Sequence, residues 1–377
     1  MSADSIAFET PPATVRTANE QLWAQARSPV FGWTLDQKLR GFCAMERMFL
    51  GRTVEADGHV RDLPAGDPLP LPAAEVDAYM RSNTVVGLLV LQHGKIRLER
   101  YAYGFGPEER WNSFSIAKSV TSLLVGAAIA DGSIGSIDDP VTAYVPELRD
   151  SAYDGVSLAQ LFAMTSGAQW SEDYSDRRSD VARFFDQPAP AGLDPIVAYM
   201  RTLKRAAQPG SIWQYNTGET NLIGVVLRRA TGRPLSEYLS KTVWKPYGME
   251  ADAYWQVDMA GGEISGCCLA IRLRDYGRLG QFVLDGGNRF VPNDWLAAAT
   301  SQQAETGSPG YGYGYQWWTY PAGRFGAQGI FGQSLIIDPR DGLVMVQLAA
   351  WPRAKDDRLA AVRESFWDYV INAARAG

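Results

Sequence analysis

The chain has 377 residues, 46% hydrophobic and 21% charged, so it can bury a large core and has the composition of a globular enzyme. A net charge of -6, with the arginines scattered, gives no electrostatic case for nucleic acid or an anionic membrane. The opening residues lack the basic-then-apolar pattern of a signal peptide, and Cys43, Cys267 and Cys268 are an odd set for structural disulfides. A cytoplasmic protein is therefore expected, with the adjacent cysteines as small buried packing residues.

Residues 1–72, punctuated by Pro11, Pro12, Pro64, Pro68, Pro70 and Pro72, read as an irregular wrap with short helical pieces. A helix near 73–80 follows, then two β-rich runs, 85–92 and 96–103, split by His93-Gly94-Lys95 as in a hairpin. From Ser115 to Ala130 the pattern is a helix with almost no polar face, stopped by Asp131-Gly132, which should lie in the middle of the protein. Residues 140–255 are mostly helical in pattern. Residues 311–318 read as a strand, 333–338 and 343–348 as a second hairpin, and 356–374 as an amphipathic helix. Strand-bearing ends around a helical middle predict an α+β fold, an antiparallel sheet flanked by helices. In that division 73–139 and 256–377 build the sheet region, 140–255 forms an inserted helical region, and the active site lies at their junction.

At the head of the apolar helix, Ser115 and Lys118 stand three residues apart and share a helix face, so hydroxyl and amine can meet. A lysine there is desolvated and close to the positive helix end, and both effects favour the neutral amine. A neutral amine beside a hydroxyl makes an activated nucleophile. The bare Ser-x-x-Lys pattern arises about once by chance in a chain of this length. Here, however, lysine is scarce, and no other lysine has a serine three residues before it. The chain has only two histidines, His59 in a polar turn and His93 at a hairpin tip. A Ser-His-Asp triad and a multi-histidine zinc site are both disfavoured, leaving lysine as the obvious base; no metal and no cofactor are expected. The chain is rich in aromatics, with 12 Trp, 17 Tyr and 14 Phe. They either pack the core or line an apolar cleft for an uncharged acyl chain.

The ordered stretches Ser115-Ile116-Ala117-Lys118-Ser119, Asp139-Pro140-Val141-Thr142, Met164-Thr165-Ser166-Gly167, Glu172-Asp173-Tyr174, Pro209-Gly210-Ser211-Ile212-Trp213-Gln214-Tyr215 and Gly329-Ile330-Phe331-Gly332-Gln333 carry a family likeness. The chain resembles the serine β-lactamase and penicillin-binding protein superfamily, on its class C and carboxylesterase side, and within it the 6-aminohexanoate-dimer hydrolases. The resemblance implies a β-lactamase-like fold, Ser115 as nucleophile, Lys118 as general base and Tyr215 as proton carrier. Tyr215 would be readied by a neighbouring cation that lowers its pKa. It also implies an oxyanion hole from the backbone N–H groups of Ser115 and Ile330 and a substrate contact at Tyr174; Trp213, Trp170 and Trp317, aromatics near these motifs as Trp318 is, are the expected walls of an acyl-chain cleft. Two departures stand out. The family's Tyr-x-Asn reads Tyr215-Asn216-Thr217, and its Lys-Thr-Gly reads Ala327-Gln328-Gly329, removing the partners of a β-lactam's amide and carboxylate. The expected partner is a small-molecule ester or amide, with a homodimer left open. Competing functions are a simple carboxylesterase, a β-lactamase or peptidase, and a non-catalytic binding protein on the same fold.

Overall fold

The structure is a computed structural model describing residues 30–184 and 189–376, so Pro11 and Pro12 of the wrap lie outside the described residues. In chain order its strands are β1 (Gly51–Val54), β2 (Val85–Gln92), β3 (Lys95–Tyr101), β4 (Arg110–Asn112), β5 (Ala253–Gln256), β6 (Leu269–Arg272), β7 (Ala304–Glu305), β8 (Gly312–Tyr313), β9 (Trp318–Thr319), β10 (Phe325–Gly329), β11 (Gln333–Asp338) and β12 (Leu343–Ala349). The helices that matter below are α1 (Leu35–Gly41), α2 (Ala73–Ser82), α3 (Ile116–Ala130), α4 (Thr217–Thr231), α5 (Leu273–Leu284) and α6 (Asp357–Ala376).

The larger sheet is antiparallel throughout, in the order β3-β2-β12-β11-β10-β9-β8-β7. Strand β2 is Val-Val-Gly-Leu-Leu-Val-Leu-Gln because both of its faces are covered. Val86, Leu89 and Leu91 meet Leu273, Tyr276 and Leu279 of α5 in the main core, whereas Val85, Leu88 and Val90 join Val76 of α2 and Trp367 and Val370 of α6. Alternate side chains of one strand thus serve two apolar layers. Both expected hairpins form, and His93 takes φ 49 at the first tip, exposed as expected.

Helix α3 is the axis of the molecule, with every residue from Ile116 to Ala128 buried. Its few hydroxyls are matched by loop carbonyls: Ser119 Oγ donates to Gln316 O (2.6 Å), Thr121 Oγ1 to Ser265 O (2.9 Å) and Ser122 Oγ to Tyr315 O (2.7 Å). Burial of a hydroxyl is tolerated when it is bonded in this way.

Three expectations need correction. Residues 311–318 are not one strand: β8 and β9 form a tight hairpin whose Gln316 adopts φ 69, turning Trp317 and Trp318 apart. The wrap contains β1, which joins a second sheet in the order β1-β5-β6-β4. A four-residue strand whose partner lies some two hundred residues away leaves no local signal. Cys267 and Cys268 are joined in a disulfide and are partly exposed, so they are not buried packing residues, and one ground for a reducing compartment falls away. Among the described residues no helix is long and apolar enough to cross a membrane.

Candidate active site

The position of Ser115, the candidate nucleophile, is set by a clamp between β6 and the start of α3. Ser113 N–H donates to Leu269 O (2.9 Å), and Leu269 N–H donates to Ser113 Oγ (3.1 Å). Phe114 then adopts φ 44, a left-handed conformation that costs a non-glycine residue about 1–2 kcal/mol. Its ring, packed 4.8 Å from Phe42 and 5.3 Å from Phe331, holds the turn that delivers Ser115 to the cleft.

Ser115 and Lys118 meet as their spacing requires: Nζ lies 3.0 Å from Oγ and donates to the Gly266 carbonyl at 2.7 Å. Lys118 is 1% exposed and forms no ion pair among the described residues. Loss of water lowers its pKa to about 8, with Glu172 opposing the shift and Lys355 adding to it. The direction is the one expected from sequence.

Tyr215, just before α4, completes the group. Its hydroxyl bonds with Ser115, its ring centroid is 5.1 Å from the lysine amine, and it stacks on Trp318 at 5.6 Å. Its pKa is pushed up rather than down, by burial first and by the charge of Glu172 second. The expected cation does not ready this phenol, because desolvation of the buried hydroxyl outweighs any help from the amine beside its ring. Tyr215 is thus a neutral phenol, suited to giving and relaying a proton.

The two departures from the family motifs find a physical meaning. Asn216 is buried as the N-cap of α4, its Oδ1 accepting from Glu219 N–H (3.0 Å), so its amide does not face the cleft. Thr217 directs both its N–H and its hydroxyl to Glu172. Ala327 is 1% exposed, and Gln328 occupies the cleft side, accepting from Arg363 at 3.0 Å. A Cβ on Gly329 would stand 2.6 Å from the Ser113 carbonyl oxygen, so only glycine lets β10 approach the head of α3 this closely.

These elements enclose a cleft of about 390 Å³. Ser115, Tyr215, Tyr174, Trp213, Trp318 and Trp351 line it, with Gly329 and Ile330 at the β10 edge, and Lys355 and Arg363 also reach it. A larger hollow of about 620 Å³ beside Asp180, Arg183 and Tyr199 lies away from this nucleophile. Ser115, Lys118, Tyr215, Tyr174, Trp213 and the backbone at Ile330 are brought together as the sequence suggested. Trp170 and Trp317 are not. Trp170 packs 5.7 Å from Phe184 and 6.4 Å from Tyr199, and Trp317 packs 5.8 Å from Phe325, each in the core. Trp318, one residue on and facing the other way, takes the place assigned to Trp317.

Sequence reasoning also missed Glu172, Trp351, Lys355 and Arg363. Glu172 lay inside a quoted motif but was given no role. The other three come from the segment after β12 and from α6, where no spacing links them to Ser115. The cations at 355 and 363 mean that the cleft does not lack positive charge, although the Lys-Thr-Gly lysine is absent. The Arg363 guanidinium, however, is committed to Gln328 and Glu364. Glu219, whose pKa burial raises to about 8, lies behind Tyr215 and bonds with Ser166, outside the cleft lining. Among the described residues no group of His, Cys, Asp and Glu is placed to hold a metal ion.

The model of the Beta-lactamase family matches residues 73–365. A 6-aminohexanoate-dimer hydrolase of Paenarthrobacter ureafaciens is 32% identical over 307 residues, covering 76% of this chain and 78% of its own. The esterase EstB of Burkholderia gladioli is 29% identical over 194 residues, 47% of this chain and 49% of its own. Among solved structures, a Bacillus anthracis protein provisionally described as a 6-aminohexanoate-dimer hydrolase superposes with a TM-score of 0.78 at 22% identity, covering 89% of this chain and 94% of that one. With the family model matching residues 73–365 and a relative 32% identical over three quarters of the chain, the chain belongs to the beta-lactamase family as a hydrolase homologous to 6-aminohexanoate-dimer hydrolases.

Proposed function

We propose that the protein is a serine hydrolase that cleaves linear amides or short-chain carboxylic esters through an acyl-enzyme. One observation carries this reading: the buried Lys118 amine lies 3.0 Å from the Oγ of Ser115, which lines an aromatic cleft. Lys118 takes the hydroxyl proton as Oγ bonds to the acyl carbon. The carbonyl oxygen gathers negative charge, and in this reading the N–H groups of Ser115 and Ile330 receive it. Tyr215 then hands its proton to the departing amine or alcohol as the bond to the acyl carbon breaks, and takes the Lys118 proton in its place, leaving a neutral amine and a neutral phenol. Water, deprotonated along the same route, attacks the ester on Ser115, and the proton returns to Oγ as the acid leaves. A carboxylesterase with no amidase activity is the second reading, supported by the likeness to EstB.

The walls favour a neutral chain over a β-lactam. The Asn216 amide is used as a cap, and the Thr217 hydroxyl is used by Glu172, so a β-lactam side-chain amide would be left unpaired. An unmatched buried polar group costs about 1–3 kcal/mol, or roughly ten- to a hundredfold. Under one set of conditions, kcat/KM should therefore fall at least tenfold from p-nitrophenyl butyrate to nitrocefin. A linear 6-aminohexanoate amide tests the amidase arm. Equal turnover of nitrocefin and the butyrate ester would contradict this account of the cleft.

A further inference from the structure

The reaction just described leaves one carboxylate beside the cleft without a role. Glu172 accepts four hydrogen bonds. The Trp170 indole N–H and the Thr217 backbone N–H (3.1 Å) reach Oε2, and the Tyr174 phenol and the Thr217 hydroxyl reach Oε1. All four donors are neutral and no cation among the described residues pairs with it, so its charge is solvated by the protein without being cancelled. The donors also tie the 170–174 segment to the start of α4, one turn from Tyr215.

The field of this anion reaches the Lys118 amine and the phenols of Tyr215, Tyr174 and Tyr313. Lys355, exposed, holds its Nζ 5.3 Å from the ring centroid of Tyr174, whose phenol bonds Glu172, and acts on Lys118 in the opposite sense. When Ser115 gives up its proton, an ammonium forms at Lys118, which is itself almost wholly shielded from solvent. A nearby fixed anion stabilises that ammonium more than the neutral amine it replaces. This is transition-state stabilisation by a charge already in place.

We propose that Glu172 is a positioning residue of the catalytic centre: it fixes the cleft wall around Tyr174 and Thr217 and, set against Lys355, governs when the Lys118 amine can take a proton. This role explains the threonine at 217, whose two donors serve Glu172. It rests on the serine–lysine reading above.

The test is kcat/KM for p-nitrophenyl butyrate against pH, at low salt, in Glu172→Gln, Glu172→Asp and Lys355→Gln, with a thermal melt of each. Glu172→Gln removes an anion that favours the ammonium, so its ascending limb moves to lower pH while its plateau falls about tenfold or more. Lys355→Gln removes a cation, so its limb moves to higher pH, and added salt shrinks this shift more because Lys355 is exposed. Glu172→Asp keeps the charge on a stem too short to hold Tyr174 and Thr217 together, so its plateau falls while its limb stays in place. A merely structural residue would lower the plateau in both Glu172 variants and move neither limb. Limbs that coincide with the parent's, or that move the same way in Glu172→Gln and Lys355→Gln, overturn the proposal. If Glu172→Gln does not fold, a parental plateau in Glu172→Asp overturns it alone. Failure of the underlying reading looks different, because Ser115→Ala would then retain activity whatever the Glu172 variants do.

Discussion

Ser115→Ala should lower kcat/KM for p-nitrophenyl butyrate by about 10³-fold or more, the scale on which a hydrolase loses rate with its nucleophile. The change removes only Oγ from a residue already 8% exposed. Lys118 keeps its bond to the Gly266 carbonyl, so the stability cost is about 1 kcal/mol or less. The thermal midpoint should stay close to the parent's. Activity within tenfold of the parent in a folded Ser115→Ala protein would remove Ser115 from the mechanism.

Lys118→Met should be nearly as damaging, because it fills the same space without a base and forfeits about 10²–10⁴ in rate. It also leaves the Gly266 carbonyl without its side-chain donor, at about 1–3 kcal/mol, so a lowered melting temperature accompanies the loss. The same residue sets the pH dependence. The amine accepts a proton only when neutral, and burial brings its pKa down to about 8. Activity should therefore climb as pH rises through that value and level off above it. Glu219 titrates in the same range but lies behind Tyr215, outside the cleft lining. The residual activity of Lys118→Met separates the two groups: its limb should vanish, and a limb that persists at the same pH would assign the titration elsewhere.

Much of this site could be read from residue order because its chemistry sits at the ends of strongly patterned elements. The apolar run after Ser115 can only be a buried helix, so its first turn had to present Ser115 and Lys118 on one face. The two hairpins were equally plain, their runs of Val, Leu and Ile broken by His93-Gly94 and Pro339-Arg340-Asp341-Gly342. What escaped depends on tertiary placement. Trp317 and Trp318 are adjacent, and only the left-handed Gln316 decides which one meets Tyr215. Trp170 sits two residues from Glu172 and four from Tyr174, yet its ring turns to Phe184 and Tyr199 while only its N–H reaches Glu172. Lys355 and Arg363 reach the cleft from the far end of the chain. The pKa of Tyr215 was misjudged for a related reason: its direction depends on how much water and how much of Glu172 the phenol meets, and neither is written in Tyr215-Asn216-Thr217.

The central claim is that Ser115 becomes acylated with Lys118 as its base. Treating the folded protein with a fluorophosphonate and mapping the adduct by peptide mass tests it directly. One adduct per chain should appear on Ser115, at a rate that rises with pH through about 8 and collapses in Lys118→Met. An adduct on another residue, or labelling of Ser115 that is indifferent to the loss of Lys118, would contradict the account.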